Sequence, residues 1–243
     1  MITAVVNGAS LQPGIEAGSW VTIRGTNLAN TNTGQNWNAG EIVNGNLPTS
    51  LDGVSVTIDG NAAFVAYVSP TQINVQAPSD NTVGPVSVVV NNNGALSAPA
   101  TAQLEPTAPA FFEIPGTSFA AASRLPDYAP VADPSVVAGA VAAKPGDLVV
   151  LWATGFGATN PPTPAGVLVS GAPVVANAPV VTVGGVLAPL ISAVLTPGDA
   201  GLYQITIQIP ATAPAGAVAL QATIGAAGGG AQTAAGVTIF VGQ

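Results

Sequence analysis

Val68-Ser69-Pro70-Thr71-Gln72-Ile73-Asn74-Val75-Gln76-Ala77-Pro78 ends in a strict alternation, with Ile73, Val75 and Ala77 on one side and Gln72, Asn74 and Gln76 on the other. The pattern returns late in the chain as Gly201-Leu202-Tyr203-Gln204-Ile205-Thr206-Ile207-Gln208-Ile209-Pro210. Period-2 alternation is the signature of a half-buried strand. A proline closes each run, because it cannot donate to a central ladder, and a glycine, Gly84 or Gly216, opens the next Val-rich run. The recurrence predicts an internal duplication.

The echo extends outward in register. Lys144-Pro145-Gly146-Asp147-Leu148-Val149-Val150-Leu151-Trp152 repeats the stretch Ala17 to Arg24, and Ala153-Thr154-Gly155-Phe156 repeats Gly25-Thr26-Asn27-Leu28. Val180-Val181-Thr182-Val183-Gly184-Gly185 mirrors Val56-Thr57-Ile58-Asp59-Gly60, each a strand followed by a two-residue hairpin signal. About seven short strands per half with turn signals between them predict an all-β chain of two tandem immunoglobulin-like β-sandwich domains. The expected boundaries are 1–105 and 106–243, with 106–143 as a joint plus N-terminal strands. Phe111-Phe112, Ile114 and Phe119 make that joint too apolar to remain in water, so it should pass at once into the second core. Within it, Asp127-Tyr128 reads as a turn between the two strands of a hairpin. A helix over Val136 to Ala143 competes poorly, because the segment lies between Pro134 and Pro145 and includes Gly139.

Composition narrows the function. Only 6% of the 243 residues are charged, and three Lys plus Arg against eleven Asp plus Glu give a net charge of -8. No basic patch can form to neutralise phosphates, which argues against nucleic acid and against anionic lipid surfaces. The positive mean hydropathy comes from scattered Ala and Val, and no apolar run reaches the roughly 18–20 residues that span a bilayer. Cysteine and histidine are both absent, which removes disulfides, Ser-His-Asp and Cys-His catalysis, and nearly every zinc, copper or haem site. A catalyst would have to be a spaced carboxylate pair, yet the eleven carboxylates mostly sit beside Gly, Pro or Asn, as turn formers do. No Asp-x-Asp-x-Asp-Gly loop occurs, so calcium would need carboxylates converging at a domain junction. No enzymatic activity and no cofactor are expected.

Two candidate ligand-contact regions stand out. Trp20 shares a strand face with Thr22 and Arg24, which makes it either a partly exposed aromatic or an interdomain contact. Gln35-Asn36-Trp37-Asn38 lies in the Asn-, Thr- and Gly-rich loop from Ala29 to Pro48, longer than a compact domain requires. A ring flanked by the amides of Asn36 and Asn38 suits stacking on a sugar; the plainer alternative is that Trp37 plugs the end of the sandwich. Gln72, Asn74 and Gln76 recur in the second copy, so they read as fold determinants whose amides bond the neighbouring loop backbone.

Asn7-Gly8-Ala9-Ser10, Gly18 to Leu28, Leu47-Pro48-Thr49-Ser50-Leu51 with Gly53-Val54, Tyr67 to Pro78, Pro109-Ala110-Phe111-Phe112, Lys144-Pro145-Gly146-Asp147, Ala153 to Gly157 and Gly201-Leu202-Tyr203-Gln204 together resemble the Solibacter-type C-terminal domain family. The Gly-Thr-Asn-Leu strand end is also similar to the broader IPT/TIG group. The resemblance implies tandem immunoglobulin-like units, an extracellular or cell-surface setting and no transferable catalytic residues. Met1-Ile2-Thr3-Ala4 has neither the basic nor the apolar stretch of an export signal, so a removed signal or a segment of a longer chain is expected. The function expected is a non-enzymatic structural or adhesive module with protein partners or self-association, as in a surface fibre. The alternative is a glycan-binding accessory.

Overall fold

A computed structural model describes residues 1–225 and 230–243. The glycine-rich turn expected at 225–230 therefore lies partly outside the described residues. All regular structure among the described residues is β, and the chain divides into two compact units. The first holds Met1–Ala108 together with Thr163–Ala172 and Thr196–Gly201; the second holds Pro109–Pro162, Pro173–Leu195 and Leu202–Gln243. A linear division at 105/106 does not include these two later segments, because they lie in loops whose composition carries no sign of which core they join.

The first unit is a sandwich of two sheets. One has the order Ile2–Asn7, Trp20–Gly25, Gln72–Gln76, Phe64–Val68, Gln35–Asn36. The other runs Ile15–Glu16, Ala100–Glu105, Gly84–Asn92, Val54–Ile58, Ser50–Leu51, with Ala95–Leu96 and Asn61–Ala62 added as hairpin returns. Asp59 and Gly60 turn the chain with φ of 52° and 78°, the left-handed pair that a two-residue hairpin needs. Asn61–Ala62 pairs back on Val54–Ile58, buried Ala63 makes the corner, and Phe64–Val68 joins the opposite sheet. Between the sheets Val21, Ile23, Val54, Val56, Ile58, Val65, Ile73, Val75, Val88 and Leu104 form one core. The apolar side of the alternation, Ile73, Val75 and Ala77, is buried as its period requires.

The second unit has the same plan. Leu148–Thr154, Tyr203–Gln208 and Leu190–Leu195 are consecutive in one sheet, which also takes in Ala122–Arg124 and Ala129–Pro130. The facing sheet has the order Val186–Ala188, Val180–Val183, Gly216–Ile224, Ala231–Gln232, with Thr238–Val241 also on Gly216–Ile224. Ser123 pairs with Pro130 and Arg124 with Ala129, so the expected hairpin around Asp127-Tyr128 forms. Val136 to Ala143 is not helical: Val136 and Val137 donate to Asp133 O, Gly139 takes a φ of 79°, and Val141 bridges Val131. The apolar joint is core. Phe111 packs on Phe156, Phe156 on Tyr203, and Phe119 on Phe240.

The duplication extends to individual hydrogen bonds. In the first unit Gly18 N donates to Ala77 O, Ala77 N to Ser19 O, and Ser19 N to Glu16 O; in the second, Gly146 N donates to Ile209 O, Ile209 N to Asp147 O, and Asp147 N to Lys144 O. Ser19 Oγ accepts from Glu16 N, and the Asp147 carboxylate accepts from Lys144 N in the same place. Leu104 lies parallel to Ile15, and Val241 parallel to Ala143.

Candidate binding surface of the first unit

Alternation that buries Val21, Ile23, Ile73 and Val75 turns Trp20, Thr22, Arg24, Gln72, Asn74 and Gln76 to the other side of the five-stranded sheet. Register sorts them into rows. Trp20, Gln76 and Phe64 are neighbours across three strands; Thr22, Asn74, Tyr67 and Asn36 across four; Arg24 faces Gln72. A register shift between Val65 and Tyr67 keeps Tyr67 on the outer face.

The first row is roofed by the unit's two later segments. Gln76 is 3% exposed; its Nε2 donates to Gly18 O at 2.9 Å, and its Oε1 accepts from Gly166 N at 2.9 Å. Trp20 Nε1 donates to Ala200 O at 2.9 Å. Gly166 has a φ of +81°, and a Cβ there would fall within the Phe64 ring, so glycine lets the backbone lie flat on the aromatic face. Leu47 N donates to Gly166 O, Leu168 N to Gly45 O and Ala165 N to Ser79 Oγ, which stitches the segment to the Ala29–Pro48 loop and to the end of the Gln72–Gln76 run. In the second unit the corresponding amide, Gln208, makes one exposed bond to Gly146 O at 3.1 Å.

The candidate ligand residues stand around this roof. Trp37 meets Trp20 edge-on, with ring centroids 5.8 Å apart and planes at 76°. Both rings are half-buried. Within the loop, Gln35–Asn36 forms a short strand against Tyr67 and Val68, and Trp37 N donates to Ala66 O. Asn36 and Asn38 are both exposed. Asn38 is shaped by its own turn: its Oδ1 accepts from Gly40 N, and its N donates to the Glu41 carboxylate. Trp20 and Trp37 thus come together as a pair, Asn36 belongs to the second row, and Asn38 lies beyond it. Tyr67 and Arg24 complete the outer face and were not singled out in the sequence for ligand contact; the period-2 register places Arg24, and the register shift places Tyr67.

The carboxylates are mostly local turn formers. A hydrogen bond from the Thr82 backbone N–H, with a lesser one from Asn61 Nδ2, holds the Asp80 carboxyl below its usual range. Ser135 does the same for Asp133 and Arg124 for Asp127. Asp199 moves the other way, because partial burial disfavours its charged form. Among the described residues no three Asp or Glu side chains stand together as a metal cage, and no helix is long and apolar enough to cross a membrane.

Comparison with known proteins yields one family match. None of the curated proteins matches the chain. Among solved structures, the Bacteroides ovatus mixed-linkage glucan utilization locus protein SGBP-B, in complex with a mixed-linkage heptasaccharide, is 12% identical with a TM-score of 0.37. That alignment covers 94% of this chain and 42% of the other, so the chain spans less than half the length of that protein. Domains 5–6 of the S-layer protein SbsC are 9% identical with a TM-score of 0.28, over 100% and 99% of the two chains. A titin A168–A169 structure is 12% identical with a TM-score of 0.26, over 99% and 100%. Likenesses at this level carry no functional inference. The model of the IPT/TIG domain matches residues 9–105, which marks this part of the first unit as similar to the IPT/TIG domains, of the immunoglobulin-like kind.

Proposed function

We propose that the chain is a non-catalytic structural or adhesive module of the cell surface that works through protein–protein contacts, including contacts between copies of itself in a fibre. One observation carries the reading: in the second unit, strands Val180–Val183, Val186–Ala188, Gly216–Ile224, Ala231–Gln232 and Thr238–Val241 contain no Asp, Glu, Lys or Arg. Their outer face presents Val180 at 51% and Leu187 at 65% exposure beside Thr182, Gln221 and Thr223. The edge strand Val186–Ala188 has no inward-pointing charge to deter pairing with another strand. An uncharged, partly apolar sheet face and edge favour lateral association.

Sedimentation velocity and electron microscopy over a range of concentrations test this. Wild type should form oligomers or filaments, and Leu187→Lys with Val180→Lys should abolish them. A monodisperse wild-type monomer throughout would overturn the reading.

The resemblance of its motifs to the Solibacter-type C-terminal domain family supports reading the chain as a tandem unit of a large secreted protein, outside the cell. A second reading, a glycan-binding accessory, is favoured by the half-buried Trp20–Trp37 pair beside Asn36. Loss of a glycan-array signal in Trp37→Ala would support it.

A further inference from the structure

We propose that the outer face of the five-stranded sheet in the first unit binds a carboxylate-bearing glycan, held by Arg24, Gln72 and Asn74 beside the Tyr67 ring. The proposal shares its ligand class with the glycan-binding reading and rests on that reading, but it places recognition on residues other than Trp37.

The amides are oriented before any ligand arrives. Asn74 Oδ1 accepts both from Thr22 Oγ1 at 3.1 Å and from Gln72 Nε2 at 2.9 Å. With that oxygen engaged twice, the Asn74 amino group is left to donate outward, and Gln72 Oε1 is left to accept. A donor and an acceptor fixed side by side match vicinal sugar hydroxyls, and their fixed geometry lowers the entropy lost on binding.

Across the strands the second row runs from Thr22 through Asn74 and Tyr67 to Asn36. At about 4.8 Å between strands this is about 14 Å, the span of a short oligosaccharide. Tyr67 is half-exposed, and the Gly34 backbone is packed so closely on it that a Cβ at 34 would collide with the hydroxyl and ring edge. The loop thus holds the ring as a fixed platform for a sugar face.

Charge selects the ligand within this class. Arg24 is exposed and faces Gln72 in register. Of the chain's three Lys and Arg residues, Arg124 is paired with Asp127. Among the described residues Arg24 has no carboxylate partner, although the chain carries a net charge of -8. A guanidinium fork matches a carboxylate with two parallel hydrogen bonds, which no neutral sugar can offer. The ligand class is therefore a uronic-acid glycan.

The test is titration of the full chain with oligogalacturonates and, separately, with neutral gluco-oligosaccharides of the same length. Binding should be confined to the acidic series and weaken with added salt. Arg24→Gln should lower affinity at least tenfold and Gln72→Ala several-fold, with unchanged melting of the exposed Arg24 variant as the control for folding. No binding of the acidic series, equal binding of both series, or unchanged affinity in Arg24→Gln would overturn the proposal. Neutral-glycan binding lost in Trp37→Ala but kept in Arg24→Gln would leave the broader glycan reading standing and this one refuted. Loss of all glycan binding together with intact self-association would refute both glycan readings and spare the structural one.

Discussion

Replacing Gln76 by Ala should destabilise the first unit far more than the equivalent Gln208→Ala destabilises the second. Gln76 closes two bonds of 2.9 Å, one to a buried backbone N–H at Gly166 and one to the carbonyl of Gly18. Truncation leaves the Gly166 donor without its partner in a site closed to water, and a buried orphan costs about 1–3 kcal/mol. Loss of the partly buried bond to Gly18 adds about 0.5–1.5 kcal/mol, so the total is about 1.5–4.5 kcal/mol. Gln208 has one exposed bond of 3.1 Å, and its loss should cost about 0.5 kcal/mol or less. For a unit of this size the Gln76 variant should melt on the order of 10 °C lower. Calorimetry of both variants, with amide hydrogen exchange read at Gly166, checks the difference. Exchange at Gly166 should accelerate in Gln76→Ala and not in Gln208→Ala. Equal costs at the two positions, or slow Gly166 exchange in Gln76→Ala, would refute the idea that the roof hangs on this amide.

Other substitutions probe separate features. Gly166→Ala should destabilise the first unit by about 2 kcal/mol or more, since it combines a left-handed φ with a clash against Phe64; chemical denaturation measures it. Asp199→Asn should slightly raise stability at neutral pH. Burial lifts the Asp199 carboxyl above its ordinary value, so the folded chain holds that proton more tightly and loses stability as pH rises from the ordinary value through the raised one. The gain should vanish in acid below the ordinary aspartate value, and melting curves across pH will show whether it does. Oligomer loss in the Leu187→Lys, Val180→Lys double variant and the acidic-glycan preference lost in Arg24→Gln complete the set.

Much of the fold was legible because alternation reports burial directly. Ile73, Val75, Ile205 and Ile207 fall where period 2 puts them, and Phe111 and Phe119 could be assigned to a core because no surface accommodates such residues cheaply. The expectation that the strand amides bond loop backbone is met at Gln76 and at its counterpart Gln208 but not at Gln72 and Asn74, whose side-chain bonds run between themselves and to Thr22. The partner at Gly166 was not legible, since a Pro- and Gly-rich loop carries no periodicity to say what it lies against. Trp20 and Trp37 could be nominated singly, but their pairing depends on a loop path that the sequence does not encode locally. Arg24 followed from period 2, whereas Tyr67 reaches the outer face only through the register shift after Val65, and only the geometry showed one without a carboxylate partner and the other backed by Gly34.

The first unit is discontinuous along the chain, since Thr163–Ala172 and Thr196–Gly201 belong to it. This sets an order of events during synthesis. When residue 108 has left the ribosome, Gln76, Phe64 and Trp20 still wait for partners from Gly166 and Ala200, the nearer of which is about sixty residues further along the chain. The core from Ile15 to Leu104 is complete by then, but the roof over the outer row cannot close until those segments emerge, so the first unit is finished only after much of the second has been made. A translational stall between residues 108 and 163 should leave a nascent chain whose aromatic row is open to protease, and a stall beyond residue 201 one in which it is closed.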